Sequence, residues 1–440
     1  MATIKPFKGI YYNPKKIKIE NVIAQPYDKI DSKLFKAYKE RDPHNAVRLI
    51  LKSDLSKMSN SKIGYEPQAQ LLQQWLKEEI FIQEPEEAFY AYDQEFRVFG
   101  EIKHRQALIG LGGLEEYGKG IVFPHEETLS KPKADRLNHL TATQTQFGLI
   151  FMLYEDKNYL ISKELHIDTS TKMLFDFVDK DDGVRHQLWS VKDQVLTQKI
   201  TEQMKDKKLL IADGHHRYET ALTYRNQMRE RFGSLPFSKP YDYAMMAFVN
   251  LYDEGLVILP THRLIRKVSE EAKTQLWSVL KAHFKIDRFK LPKTSQSKFI
   301  HEKMTPGHSF KHVIGLCENL DELVLLHYEA TVLPQNEINE KHTEAWRRLD
   351  VVLLHYLILE KGLGIEEEMV KQEENLFYCR GIDEALESLK LSKAEMVFFL
   401  NPTQSESVRD VAFGGERMPQ KSTDFYPKLM TGLTLNRMEF

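Results

Sequence analysis

The sequence predicts an α/β or α+β protein built in layers, and three observations carry that expectation. Apolar runs at 147–154, 209–212 and 243–251 have the continuity of buried strands. Between them lie segments whose apolar residues recur at the helical period. At 440 residues, with 42% hydrophobic and 29% charged residues, the chain has an ordinary globular makeup but is too long for one core. We therefore expect a core over 1–252, an accessory α/β region over 253–400, and a segment over 401–440 that returns to the site of the core.

Taken in order, residues 1–51 read as short extended pieces and loops. Tyr12-Asn13-Pro14 and Gln25-Pro26-Tyr27-Asp28 are turn formers. A helix is expected over 32–40 with Asp31 as its cap, ended by Asp42-Pro43-His44-Asn45, after which 46–50 resumes as a strand. Residues 66–78 form an amphipathic helix with Ala69, Leu72, Trp75 and Leu76 on one face. Two strand-like runs, 88–92 and 95–99, pair with 102–111 in a hairpin. Gly110-Leu111-Gly112-Gly113 lacks dinucleotide spacing, so these glycines serve a bulge or close strand packing. A charged loop then leads into a helix over 135–145. Residues 168–182 are an ambiguous strand–turn segment, 185–191 a strand and 193–204 a helix. Past 253 we expect a strand over 256–259 closed by Pro260-Thr261-His262-Arg263, helices over 269–283 and 344–361, and a last strand over 395–400. The stripe Trp346, Leu349, Leu353, Tyr356 and Leu357 suits core or a subunit interface, which leaves a homo-oligomer open.

The chemistry concentrates where 209–212 ends. Asp213, Gly214, His215, His216 and Arg217 follow without a spacer, and a helical pattern runs on to a stop at Gly233. The first N–H groups of a helix lack intrahelical partners and sit at the positive end of its dipole, so the junction suits an anion. Gly214 lets a ligand approach the backbone, and Arg217 offers a planar fork to phosphate or carboxylate. Asp213 can orient a hydroxyl or water, or bind a cation. Successive helical residues point about 100° apart, so His215 and His216 cannot both face one ligand atom. The plain alternative makes Asp213 a cap and one histidine a packing residue.

Three further groups have candidate chemistry. In the loop at 124–136, Glu126 can act as a base or metal ligand with His125 as its pair, and Lys133 and Arg136 can meet phosphate; a solvated charged loop is the alternative. Tyr27, Asp28, Asn45 and Arg48, read alone, are turn chemistry and a surface ion pair. Near the C-terminus, Lys421, Ser422 and Thr423 form a cation–hydroxyl set among the apolar anchors Val411, Phe413, Met418, Phe425 and Tyr426. With Gly414-Gly415 allowing a reversal, 416–426 is expected to fold back over the Asp213 turn; covering a sheet edge is the alternative.

Asp213-Gly214-His215-His216-Arg217-Tyr218-Glu219 resembles the hallmark of a widespread bacterial family of unknown function, over nearly the whole chain. Pro26-Tyr27-Asp28, Asp42-Pro43-His44-Asn45-Ala46-Val47-Arg48-Leu49, Pro124-His125-Glu126, Pro132-Lys133-Ala134-Asp135-Arg136-Leu137 and Met418-Pro419-Gln420-Lys421-Ser422-Thr423 add to the match. Gln25 departs from that pattern, which has a proline there. The Gly-His-His-Arg turn is similar to the phosphate-binding turn of the ParB/sulfiredoxin superfamily, which includes nucleotide switches, sulfiredoxins and free-serine kinases.

The resemblance implies a ParB/sulfiredoxin-like core with large insertions. It implies a phosphotransferase, a small-molecule kinase with an amino-acid hydroxyl as one acceptor, or a nucleotide hydrolase. The cofactors would be Mg²⁺, held by Asp213 and Glu126, and a nucleoside di- or triphosphate. Asp213, Glu126, His215 and His216 would be catalytic. Gly214, Arg217, Lys133, Arg136, Lys421, Ser422 and Thr423 would hold phosphates, and Tyr27, Asp28, Asn45, Arg48 and His125 the substrate. Two other readings are a nucleotide-regulated, DNA-associated switch and a metal-dependent hydrolase using His125, Glu126, His215 and His216. A formal charge of −2 and a pI near 6.8 weigh against nucleic acid as a partner and leave a small molecule. Two distant cysteines, no signal-like start and no membrane-length apolar run fit a cytoplasmic protein.

Overall fold

The computed structural model describes residues 1–52, 64–127, 130–165, 172–233, 237, 239–305, 312–338, 340–366, 369 and 375–438. They form two compact units. The first comprises Met1–Pro124, Thr128–Val257 and Phe425–Phe440; the second comprises His125–Glu127 and Ile258–Asp424. No described helix is long and apolar enough to cross a membrane.

The first unit is built on a mixed nine-stranded sheet. In chain order its strands are β1 (Ile4–Lys5), β2 (Phe89–Val98), β3 (Glu101–Gly113), β4 (Val122–Pro124), β5 (Ile150–Tyr154), β6 (Lys172–Val178), β7 (Arg185–Val191), β8 (Leu209–Asp213) and β9 (Tyr243–Asn250). Their spatial order is β4-β8-β5-β9-β3-β2-β7-β6, with β1 also paired to β3. β8 runs parallel to β4 and antiparallel to β5, while β9 runs parallel to β5. Every residue of β9 is buried, as a continuous apolar strand covered on both faces must be. The core joins Phe89, Leu108, Met152, Ile211 and Phe248 of the sheet to Tyr218, Ala221 and Leu222 of the helix after β8.

Helices α1 (Ser32–Arg41), α2 (Glu66–Lys77), α3 (Ser130–Thr143), α4 (Gln194–Met204) and α5 (His215–Phe232) belong to this unit. The expected caps form: Asp31 accepts from the Leu34 N–H at 2.7 Å, and Asp193 from the Leu196 N–H at 2.7 Å. β2 and β3 make the expected hairpin. Gly110 lies in β3 where a Cβ would stand 2.6 Å from the Phe89 ring, so close packing rather than a bulge explains it. The expected strand at 46–50 is instead a helical turn, Val47–Ile50. Its apolar residues are buried on all sides, which erases the period that separates helix from strand. Part of the expected strand–turn segment, 168–171, lies outside the described residues; the rest is β6 and its turn.

The second unit holds a six-stranded antiparallel sheet. Its strands are β10 (His262–Ile265), β11 (Lys285–Lys290), β12 (His312–Cys317), β13 (Glu322–Tyr328), β14 (Leu376–Cys379) and β15 (Met396–Phe399), in the order β11-β13-β12-β15-β10-β14. His262 and Arg263 thus begin a strand and do not close one. α6 (Glu270–His283) is capped by Ser269. The expected helix at 344–361 is broken into Glu344–Arg347, Asp350–Leu353, a π-helical stretch Leu354–Glu360, and Lys361–Leu363. Leu349 takes an extended backbone with its side chain buried, which interrupts the helix within the apolar stripe.

Candidate functional site

The Asp213 turn is positioned by a break in β8. The register between β8 and β5 shifts between Ile211 and Asp213, and such a bulge re-aims the side chain that follows it. Gly214 then takes φ 91°, and a Cβ there would lie 2.9 Å from the Arg217 guanidinium. Glycine is therefore required twice, for the left-handed backbone and for the room. Gly214, not Asp213, is the N-cap of α5, and it supplies no side-chain cap to this 18-residue helix. Arg217 folds back over the turn. It donates to the Leu149 carbonyl and lies 3.4 Å from Asp213 Oδ2. Lys428 Nζ stands 3.7 Å from the same carboxylate oxygen.

Burial works against ionisation of Asp213. Lys428, Arg217 and Lys29, with His215 behind them, outweigh that penalty and hold the carboxyl well below the usual carboxylate range. Such an acid stays charged and is a weak proton acceptor in the free protein, so it is better fitted to orient a hydroxyl or hold a cation than to act as the resting base.

Beside the turn is a pocket of about 670 Å³, counting the space at its mouth, lined among others by Tyr27, Arg136, Phe147, Arg217, Ala221 and Thr431. Tyr27 enters from a 3₁₀ turn, Tyr27–Lys29, that follows Pro26. The Arg136 guanidinium lies 4.5 Å from the centroid of the Tyr27 ring, and burial pushes the Tyr27 hydroxyl up to about 12. His139 also lines the pocket; burial, then the charge of Arg136, pulls it down to about 3, so it is a neutral wall.

The structure places the other expected residues as follows. Arg136 donates to the Ile50 carbonyl at 2.9 Å and meets Tyr65 and Asp135, so much of its fork is engaged in anchoring α3. Lys133 pairs with Glu219 of α5. Asn45 is buried, donating to the carbonyls of Asn21 and Ile23 and accepting from the Val47 N–H at 3.0 Å. Arg48 donates to the Lys39 carbonyl at 2.7 Å. Those two residues hold the N-terminal segment together. Asp28 is exposed, His215 is buried and His216 half-buried.

His125, Glu126, Lys421, Ser422 and Thr423 belong to the second unit, where His125, Glu126 and Thr423 hold one another. His125 Nε2 is 2.7 Å from Thr423 Oγ1. Glu126 accepts from the Thr423 hydroxyl at 3.2 Å and its N–H at 3.3 Å. Ser422 donates to the Pro419 carbonyl, and buried Arg263 donates to the Lys421 carbonyl at 3.1 Å. Among the described residues, the grouping of three potential metal ligands includes none of His125, Glu126, His215 and His216.

Sequence reasoning missed Lys29, Lys428 and Arg105. The 1%-exposed Arg105 of β3 donates to the carbonyls of Tyr426 at 3.0 Å and Pro427 at 2.5 Å, and so fixes the segment that delivers Lys428. No local pattern marks such a pairing of residues far apart in the chain.

Solved structures with a similar arrangement share little sequence. A free serine kinase variant in complex with AMP has 11% identity and a TM-score of 0.35, covering 72% of this chain and 88% of its own. SbnI from Staphylococcus aureus has 10% identity and a TM-score of 0.33, covering 73% and 85%. A conserved hypothetical protein from Pyrococcus furiosus has 11% identity and a TM-score of 0.31, covering 70% and 88%. No curated protein matches the sequence. A family pattern does match residues 4–352, leaving 418–423 outside it. On that match, the chain belongs to the DUF1015 family of proteins of unknown function.

Proposed function

We propose that the first unit binds the phosphates of a nucleoside di- or triphosphate at the turn from Asp213 to Arg217 and transfers a phosphoryl group to a small molecule or to water. One observation carries this reading: three cations, Lys29, Arg217 and Lys428, converge on one carboxylate at the start of a long helix. The surplus positive charge and the positive end of the helix dipole favour an anion at that place. Tyr27 and Phe147 give the adjoining pocket aromatic walls that suit a nucleotide base. An amino-acid hydroxyl is the acceptor suggested by the likeness of the Gly-His-His-Arg turn to that of the ParB/sulfiredoxin superfamily.

In this reading Arg217 and Lys428 neutralise phosphate oxygens, and Asp213 orients the attacking hydroxyl or holds Mg²⁺. A single carboxylate suffices for Mg²⁺, which takes its remaining ligands from phosphates and water. When bound, Mg²⁺ supplies charge neutralisation, the main demand of phosphoryl transfer.

A thermal-shift series with inorganic phosphate, AMP, ADP and ATP, each with and without Mg²⁺, tests the proposal. A nucleotide at about 100 times its Kd adds about 2.7 kcal/mol of stability. We expect ADP or ATP to raise the midpoint and inorganic phosphate to do so weakly. No shift with any of them would refute the reading.

A further inference from the structure

The turn between β6 and β7 carries a second, separate cluster. Asp179, Asp182 and His186 each present one donor atom, and the three atoms lie within 4.8 Å of one another. Bonds of about 2.1 Å to a shared tetrahedral ion place donors about 3.4 Å apart, so binding would draw the three donors together by up to about 1.4 Å. Asp179 and His186 are each 1% exposed. The Asp179 Oδ1 accepts from the Asp181 N–H at 3.1 Å, but Oδ2 is buried with no hydrogen-bond partner among the described residues. His186 Nδ1 is 2.6 Å from the Tyr92 hydroxyl, and Nε2 is likewise buried and unpartnered. Two buried polar atoms without partners are costly unless something satisfies them.

We propose that Asp179, Asp182 and His186 bind a divalent first-row transition ion, Zn²⁺ or Mn²⁺, that fastens this turn to the sheet. The donor set decides the class. An imidazole nitrogen with two carboxylates suits these ions better than Mg²⁺ or Ca²⁺, which prefer all-oxygen sites. Two carboxylates also balance a dipositive charge. Of the neighbouring cations, Arg105 acts on His186 and Arg41 on Asp179. Arg41 is engaged by Asp181, at 2.6 and 3.1 Å, and Lys180 turns to Asn21 Oδ1 at 2.6 Å. Asp182 accepts from the Val184 N–H at 3.0 Å and from Gln25, and being exposed it offers a route of entry.

The imidazole is prepared for ligation. Its ring is stacked on Phe177 and Tyr92, at centroid separations of 5.1 and 5.9 Å, which fixes its plane. For Nε2 to ligate, Nδ1 carries the ring proton and donates it to the Tyr92 oxygen, the kind of outer hydrogen bond that orients metal-bound histidines.

The test uses the full chain, stripped with chelator and titrated with ZnCl₂, MnCl₂ or MgCl₂, reading stoichiometry by elemental analysis after dialysis and the thermal midpoint. We expect one equivalent of Zn²⁺ or Mn²⁺ per chain and a raised midpoint, with Mg²⁺ giving neither. Asp182→Asn and His186→Gln should each weaken binding by at least about tenfold, in line with losses of site partners elsewhere. Should His186→Gln fail to fold, Asp182→Asn, on the exposed side, decides alone. Asp213→Asn should leave the binding intact, which separates this site from the nucleotide reading. No stoichiometric ion in the wild type, wild-type affinity in Asp182→Asn, or an equal response to Mg²⁺ would overturn the proposal.

Discussion

Arg105→Met is expected to destabilise the protein by about 3–5 kcal/mol, since it takes the donor from several neutral acceptors at roughly 1–3 kcal/mol each. The fully buried guanidinium donates to Gln94 and to two successive backbone carbonyls of the C-terminal segment, and it packs 4.8 Å from the centroid of the Phe151 ring. Methionine retains part of the apolar stem but removes the Arg105 donor from Gln94 and from the carbonyls of Tyr426 and Pro427. The segment that carries Lys428 loses its anchor at the same time. Urea unfolding should show a lower midpoint. Ligand affinity should also fall under conditions where the variant is still folded, because Lys428 is no longer held against Asp213. A loss below about 1 kcal/mol would mean that the sheet, and not Arg105, retains the segment.

Asp213→Asn should reduce turnover on the order of 100-fold, the scale of a misplaced reacting group, while the chain stays folded. It should not weaken Mg²⁺-free ADP. Removing a negative charge that faces the phosphates leaves Arg217 and Lys428 unopposed, so that affinity is held or raised. The pH dependence has a definite sign. The folded-state value of Asp213 lies below the unfolded one of about 3.9, so its charge stabilises the fold above about pH 4. That contribution is lost as pH falls through the folded value. Unfolding curves of wild type and variant should therefore differ most near neutrality and converge in strong acid. Turnover at the wild-type rate would leave Asp213 with a purely structural role.

Much of the layered fold was legible because its strands are either continuous or alternating in hydrophobicity. The central strand Tyr243–Asn250 and the hairpin of Phe89–Val98 with Glu101–Gly113 announce themselves in this way. Where burial is complete on all sides the signal fails, as at Val47–Ile50, and where a helix is interrupted within one apolar stripe it misleads, as at Leu349. The Asp213 turn could be read from the chain because strand, glycine and helix follow each other without a gap. Its electrostatics could not, since Lys29 and Lys428 reach Asp213 only through the fold. At Asn45 and Arg48, polar residues in a matching motif, the side-chain donors go to backbone carbonyls, contacts that no local pattern announces. The turn at Asp179 and Asp182 read only as an ambiguous segment, because its histidine stood in a strand of its own.

The charge gathered at the Asp213 turn should hold phosphate. Isothermal titration of ADP with Mg²⁺ into wild type, Arg217→Met and Lys428→Met tests it most directly. We expect one ADP per chain in the wild type and at least about tenfold weaker binding in each variant, about 1.4 kcal/mol, with the thermal midpoint confirming that each is folded. Equal affinity in all three folded proteins, or no binding by the wild type at millimolar ADP, would contradict it.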